Sequence, residues 1–151
     1  ARRDATNFEM SHTRNRIRQE LLPQLESQYN AKAKEELCRL AEQAGDAEDV
    51  IQAMAADLLT ECRPDVSLAG GGWELVTTPF RARPRHLVRC AFVRLWSDLN
   101  WPRQSMGFSE WDALADLAQM SDDASRCYRN LPGSIRACRF GTTLRLDRET
   151  N

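Results

Sequence analysis

The sequence has few of the residues that build metal sites, disulfide frameworks or membrane spans. It contains two histidines and five cysteines, an odd number without any CxxC pair, which favours reduced buried thiols over a zinc site or disulfides. His12 and His86 are solitary, which favours surface or structural roles over catalysis. No apolar run approaches the roughly 20 residues that a membrane helix requires, and no charged segment before an apolar core marks a secretory signal. These absences predict a cytoplasmic protein without a membrane partner.

Lysine is also scarce, since 19 of the 21 cationic side chains are Arg and only two are Lys. A guanidinium binds a phosphate through two parallel hydrogen bonds and stacks on bases, so this bias fits contact with RNA. A GC-rich genome would raise the Arg content equally well. The clustering of charge is harder to explain in that way, because net positive blocks at residues 1–25, 66–103 and 126–151 alternate with net negative blocks at residues 26–65 and 104–125.

Apolar periodicity predicts a mainly α fold with a small β element. Over residues 30–62 the pattern predicts one long helix or two helices that meet near Gly45. Pro23 should break or kink the short amphipathic helix that precedes it. The expected architecture is therefore a long linker helix followed by a compact helical domain that ends in a β-hairpin.

Turn residues and caps predict where the later elements lie. Pro84 suits the first position of a helix that reaches about residue 99, and Ser109 with Asp112 forms a near capping box for the helix after it. The tryptophans favour core positions over a base-stacking platform. The remaining expected elements are a helix at residues 110–120, an edge strand at residues 73–76, and strands at residues 134–140 and 142–146 that turn near Gly141.

Three short motifs follow one another at the N-terminal end. They are Asp4-Ala5-Thr6-Asn7, Arg14-Asn15-Arg16-Ile17-Arg18 and Leu22-Pro23-Gln24-Leu25. In this order and spacing they closely resemble the end of the catalytic domain of the tRNA(Ile)-lysidine synthetases, where a D-[ST]-N segment precedes RNxIRxxxxP and a leucine. A lone RNRIR would be a weak signal, whereas the ordered set is specific. The later helices and the closing Leu131-Pro132-Gly133 turn resemble the first C-terminal domain of that family more loosely.

The resemblance implies part of an ATP-dependent ligase that modifies tRNA. In that family the wobble cytidine of a tRNA(Ile) with a CAU anticodon is adenylated, and lysine then displaces AMP to form the C–N bond of lysidine. The implied partners are this tRNA, the substrate lysine and an N-terminal PP-loop domain of the same protein, and a homodimer stays open.

ATP with Mg²⁺ is expected on the PP-loop domain and not on this chain. No SGGxDS string occurs here, and the glycines at 70–72 lack the following Asp-Ser and the strand-to-helix context that a phosphate cradle needs. The resemblance divides the chain into the end of the catalytic domain at residues 1–27, a linker helix at 28–64 and a tRNA-binding domain at 65–151. Because the sequence opens at Ala1 rather than Met, we expect a fragment or a processed chain. Because it lacks the PP-loop motif, we expect it to be inactive alone.

Arginines supply the candidate functional residues. Arg14 and Arg18, with Asn15 to orient them, are expected to contribute to catalysis, because fixed guanidinium groups stabilise the charge that grows on phosphorus during adenylation. They could instead hold their helix against acidic partners on the catalytic domain. The candidate RNA-binding residues are Arg81, Arg83, Arg85, Arg89, Arg136 and Arg139, with Arg145 beside the last two.

In the simplest interpretation, the Arg81–Arg89 row, which consists of Arg81, Arg83, Arg85 and Arg89, is a helix face exposed to solvent. RNA contact is favoured because no acid within the same helix turn is placed to pair with these residues. A different class of function also stays open: a helical docking module for a protein partner, with no nucleic-acid role, whose Arg clusters would match acidic surfaces. That alternative leaves the N-terminal motif unexplained.

Overall fold

The computed structural model of the chain describes residues 13–62, 72–122 and 126–148. The described α-helices are α1 (Leu22–Gln28), α2 (Ala33–Glu61), α3 (Arg85–Asp98) and α4 (Phe108–Gln119), and a short 3-10 helix spans Thr78–Phe80. The described strands are β1 (Trp73–Val76), β2 (Cys127–Leu131), β3 (Ile135–Phe140) and β4 (Thr143–Arg148). The predicted class, mainly α with a small β element, is confirmed. The chain separates into two compact units, Ala1–Glu48 and Asp49–Asn151. No helix among the described residues is both long and apolar enough to cross a membrane.

Pro23 distorts the first helical run without ending it. Residues Ile17–Leu21 form a π-helical turn, closed by the Leu22 N–H that donates to the Ile17 carbonyl, and α1 continues from there. In a regular α-helix the proline ring would clash with the carbonyl four residues earlier, and a wider turn relieves this contact. The sequence predicted a break or kink at Pro23, and the structure shows instead that the helix widens locally and continues.

Helix α2 is a single helix through Gly45. Asn30 lies in the turn before it, where its Oδ1 accepts from the Lys32 N–H at 2.9 Å. A Cβ added at Gly45 would meet nothing within 4 Å, so this glycine faces open space and interrupts no packing. The buried residues of the helix are Ala55, Leu58 and Leu59, near its C-terminal end. The earlier members of the predicted apolar row, Leu37 and Leu40, are exposed.

The second unit contains a four-stranded antiparallel sheet with the order β1-β4-β3-β2. The predicted edge strand at residues 73–76 is confirmed, and the two predicted C-terminal strands are β3 and β4 with slightly shifted ends. Strand β2 was not predicted. It joins β3 through a turn in which Gly133 has a φ of +78° and a Cβ would lie 2.5 Å from Pro102 Cγ, so glycine is required there.

The core lies between the helices and one face of the sheet. Helices α3 and α4 pack together, and α4 packs against β2 and β3. Strand alternation turns Ile135, Ala137, Leu144 and Leu146 toward this core. Trp96 lies fully buried at its centre, with its ring centroid 4.9 Å from that of Trp101 in an edge-on contact, which confirms its predicted core role.

The predicted capping box of α4 is wrong by two residues. The Gly107 N–H donates to Glu110 Oε2 at 2.8 Å, so Gly107 is the N-cap and Glu110 the third helical residue. This shift leaves Asp112 free to face α3, where it has a different set of partners.

Candidate nucleic-acid interface

The candidate catalytic residues Arg14, Asn15 and Arg18 lie exposed on the first helical run. Among the described residues, no carboxylate forms an ion pair with Arg14 or Arg18, whereas Arg16 on the same run pairs with Glu20 at 3.6 Å. Two guanidinium groups without a described carboxylate partner, four residues apart in a helical run, could bind a phosphate or carboxylate. The first motif, with Asp4, Thr6 and Asn7, lies outside the described residues, and so does His12.

Helix α3 presents its arginines to acids on α4. Arg85 forks onto Asp112, with Nε at 2.8 Å from Oδ1 and Nη2 at 2.7 Å from Oδ2, and Nη2 also lies 2.6 Å from Asp116 Oδ1. Arg89 Nη1 donates to Asp112 Oδ1 at 2.7 Å, and its guanidinium stacks 4.7 Å from the Phe108 ring centroid. Asp112 therefore accepts hydrogen bonds from two cations at once.

These contacts shift the titration of both partners. The hydrogen bonds from Arg85 and Arg89 hold the pKa of Asp112 well below its usual range. The hydrogen bonds to Asp112 and Asp116 raise the pKa of Arg85. Asp112 and Arg85 are thus both ionised near neutrality, and their charges are largely satisfied within the fold.

The other two cations of the row are paired as well. Arg83 Nη2 donates to both carboxylate oxygens of Glu61, at 3.0 and 2.9 Å. Arg81 forms an ion pair with Asp122. None of these described partners lies in the same helix turn as its arginine, so the sequence pattern within that turn could not reveal them: the acids come from other elements of the fold. The predicted RNA contacts of this row assumed unpaired charges, whereas Arg81, Arg83, Arg85 and Arg89 are already paired within the fold.

Arg139 is a buried cation. Its side chain is 1% exposed and points from β3 into the core face of the sheet. It donates to Thr77 Oγ1, to the Met120 carbonyl at 3.2 Å and to Asp122 Oδ1 at 3.1 Å. Burial, and then repulsion from Arg81, lowers the pKa of Arg139. A phosphate cannot reach this guanidinium in the folded protein, so its predicted RNA contact is corrected to a structural role.

The opposite face of the sheet is open. Tyr128 on β2 and Phe140 on β3 are 60% and 44% exposed there. With neighbouring strand residues they line a depression of about 840 Å³. The lining residues are Arg126, Tyr128, Arg136, Cys138, Phe140, Arg145 and Asp147. This open face, defined by these seven residues, combines aromatic rings with cations.

The arginines of the open face differ in the partners that accept their hydrogen bonds. Arg145 Nε donates to both carboxylate oxygens of Asp147, at 2.9 and 2.8 Å, which neutralises Arg145 locally. Arg136 donates to the neutral Asn130 Oδ1 at 3.2 Å and lies 5.6 Å from the Tyr128 ring centroid. Arg126 donates to Cys138 Sγ at 3.2 Å. Among the described residues, neither Arg126 nor Arg136 has a carboxylate partner, so both retain a charge that an anion could use.

Arg126, Tyr128 and Phe140 were not predicted to lie together on one exposed face. Period-two alternation in β3 carries the signal, because Arg136, Cys138 and Phe140 share one side while Ile135, Ala137 and Arg139 share the other. The same alternation would have placed Arg139 in the core.

Nothing in the described ranges gathers three or more His, Cys, Asp or Glu side chains into a group that could hold a metal ion. His86 is less solitary than the sequence suggested, because Cys90 lies one helical turn away with Sγ 3.7 Å from His86 Nε2. Two such groups fall short of the three or four protein ligands that zinc sites use.

No protein-family model matches this chain, and a search of curated proteins found no significant match.

Proposed function

We propose that this chain is the tRNA-handling part of a tRNA(Ile)-lysidine synthetase, a cytoplasmic ligase that uses ATP and lysine to convert a wobble cytidine to lysidine. The observation that carries the proposal is the ordered set of three N-terminal motifs, in which Arg14 and Arg18 are the charged members. Their exposure, and the absence of carboxylate partners among the described residues, support a role at a shared active site. The partners of the proposal are the CAU-anticodon tRNA(Ile), lysine and a PP-loop domain.

ATP with Mg²⁺ would supply the activation chemistry and would bind mainly to that PP-loop domain. In this chain, the groups that fit its phosphates are Arg14 and Arg18. Each guanidinium offers a rigid fork of donors that matches phosphate oxygens, and neither loses an ion pair with a described residue when it binds one. Asn15 lies between them in sequence, where its amide could orient one guanidinium or a backbone group.

The test is lysidine formation by the full-length protein that carries this segment. Labelled lysine should enter a CAU-anticodon tRNA(Ile) transcript only when ATP is present. Arg14→Ala or Arg18→Ala should lower kcat by about 10²–10³, the cost of removing one donor that stabilises transition-state charge. The dissociation constant for tRNA should change little.

Arg16→Ala is the matched control, because Arg16 lies on the same helical run and already pairs with Glu20. Its kcat should stay close to that of the unmodified enzyme. An equal loss in all three variants would refute the assigned roles, and so would a loss of tRNA affinity with unchanged kcat. Failure to form lysidine at all would refute the family assignment.

A protein-docking function is the second candidate, and exposed apolar residues in the first unit favour it. Leu25, Tyr29, Leu37 and Leu40 line an open groove of about 700 Å³ there. A docking module predicts a stable complex with a protein that tRNA does not displace. A tRNA-handling module predicts tRNA binding that falls steeply with salt, by nearly one log unit per log salt for each phosphate contacted.

A further inference from the structure

We infer that the open face of the sheet is a platform on which unpaired bases of an RNA strand stack. Residues of the sheet, and not the N-terminal motifs, support this platform, which depends on the proposed function only for the choice of RNA over DNA. RNA would then contact the aromatic and cationic side chains of the open face, in place of the phosphate contacts predicted for the Arg81–Arg89 row.

The two exposed rings have the spacing of a stacking platform. Tyr128 pairs with Cys138 across the β2–β3 ladder, and Phe140 follows Cys138 by two residues on the same face. The two rings are therefore diagonal neighbours, with backbones roughly 7–8 Å apart. Every base has a π-face, so such rings bind single strands with little sequence preference. A four-stranded sheet whose exposed aromatics stack two or three bases is a common form of RNA recognition.

Unneutralised charge is concentrated around this sheet. Seven described arginines have no carboxylate partner among the described residues, and four of them belong to or adjoin the sheet strands. The seven are Arg14, Arg18, Arg103, Arg126, Arg129, Arg136 and Arg148. A backbone phosphate would replace the neutral amide of Asn130 as the acceptor for Arg136, which exchanges a neutral hydrogen bond for a charge-assisted one.

The shape of the face also suits a single strand. Helices cover the inner face, while β1 and β2 are the edges of the sheet, so a strand could enter over one edge and leave over the other. The depression of about 840 Å³ is in the size range of small-ligand pockets. In an A-form duplex the bases are stacked inside and offer no free face to Tyr128 or Phe140. The occupant must therefore be unpaired.

The test compares single-stranded and duplex RNA by fluorescence anisotropy with the 151-residue chain. The probes are a labelled ten-nucleotide oligouridine and a fully paired duplex of the same length, both at low salt. Tyr128→Leu and Phe140→Leu should each weaken oligouridine binding about tenfold, which corresponds to the loss of one stacked base. Duplex affinity should change by less than about twofold, because backbone contacts alone carry it.

Two further variants sharpen the comparison. Tyr29→Leu removes an exposed ring from the first unit and should leave oligouridine binding unchanged. Tyr128→Phe keeps the ring and should keep the affinity, which separates stacking from loss of the fold. Arg136→Gln should lower the salt slope by about one, as expected for one lost phosphate contact.

Three results would overturn the inference. They are no oligouridine binding at low salt, an effect of Tyr128→Leu no larger than that of Tyr29→Leu, and displacement of the RNA by polyglutamate at equal charge concentration, which would identify an acidic protein as the partner. The proposed function fails separately. If oligouridine binding needs Tyr128 while the full-length protein forms no lysidine, the platform stands and the family assignment does not.

Discussion

The buried cation Arg139 provides a direct test of how charge is balanced in this fold. Asp122 is its carboxylate partner among the described residues, at 3.1 Å, and Asp122 also pairs with Arg81. Asp122→Ala leaves a guanidinium that is 1% exposed without a counter-charge, next to a second cation. Breaking a buried pair from one side costs about 3–5 kcal/mol. Because the Asp122 side chain is 37% exposed and water screens it, we expect about 2–3 kcal/mol of lost unfolding free energy.

Removing the cation should cost less than removing its partner. Arg139→Met replaces the guanidinium with an apolar side chain of similar length, so the desolvation cost disappears together with the ion pair. The Arg139 Nε has no hydrogen-bond partner among the described residues, which adds to that cost in the native protein. The expected loss for Arg139→Met is about 0–1 kcal/mol. In the double variant with Asp122→Ala, the stability should lie close to that of Arg139→Met alone.

The measurement is urea unfolding followed by tryptophan fluorescence, to which the buried Trp96 contributes. With a slope of about 1–3 kcal/mol per molar urea, the midpoint for Asp122→Ala should fall by roughly 1 M. Asp98→Ala is the matched control, because it breaks an exposed helical pair with Arg94 that is worth about 0.5 kcal/mol or less. The reasoning is refuted if Asp122→Ala costs no more than this control, or if Arg139→Met costs more than Asp122→Ala.

Three further predictions concern charge and thiols in the second unit and α2. Arg85→Gln with Arg89→Gln should lower the melting temperature, on the order of 5 °C, and leave RNA affinity nearly unchanged; the reverse pattern would restore these residues as phosphate ligands. The lowered pKa of Asp112 means that its stabilisation is complete above about pH 4 and is lost as the pH falls further, so Asp112→Asn should flatten the acid side of a melting-temperature profile. Burial raises the pKa of Cys62 to about 12, so iodoacetamide at pH 8 should label the exposed Cys38 and spare Cys62, and equal labelling by mass spectrometry would contradict that burial.

Local patterns predicted much of the fold because they act over a few residues. Periodicity located α2, α3 and α4, and proline and glycine positions located the breaks between them. Strand β2 escaped prediction because Cys127–Leu131 has little β propensity of its own. Its hydrogen bonds to β3 hold it as a strand, and they depend on the turn at Gly133.

The pairing of the arginines could not be predicted in the same way. The helical i, i+4 rule finds Arg94 with Asp98, but Arg85 and Asp112 are 27 residues apart in sequence. Whether Arg85 meets an acid depends on how α3 packs on α4, which is a tertiary property. The shifted cap at Gly107 shows the same dependence, because an N-cap at Ser109 would have made Asp112 a capping residue instead.

Whether an arginine can bind a ligand therefore depends on whether it is already paired with an acid of the fold, and not on how many arginines the chain has. Arg139 is enclosed, and Arg85 shares its charge with two carboxylates, so an RNA phosphate would have to displace acids already in place at 2.6–2.8 Å. Among the described residues, the partners of Arg136 are the Asn130 amide and the Tyr128 ring. A phosphate that approaches α3 must therefore compete with strong ion pairs, whereas a phosphate that approaches the sheet must displace only a weak contact. If the proposed RNA strand binds this chain, its phosphates should therefore pair more readily with Arg136 on the open face than with Arg85 on α3.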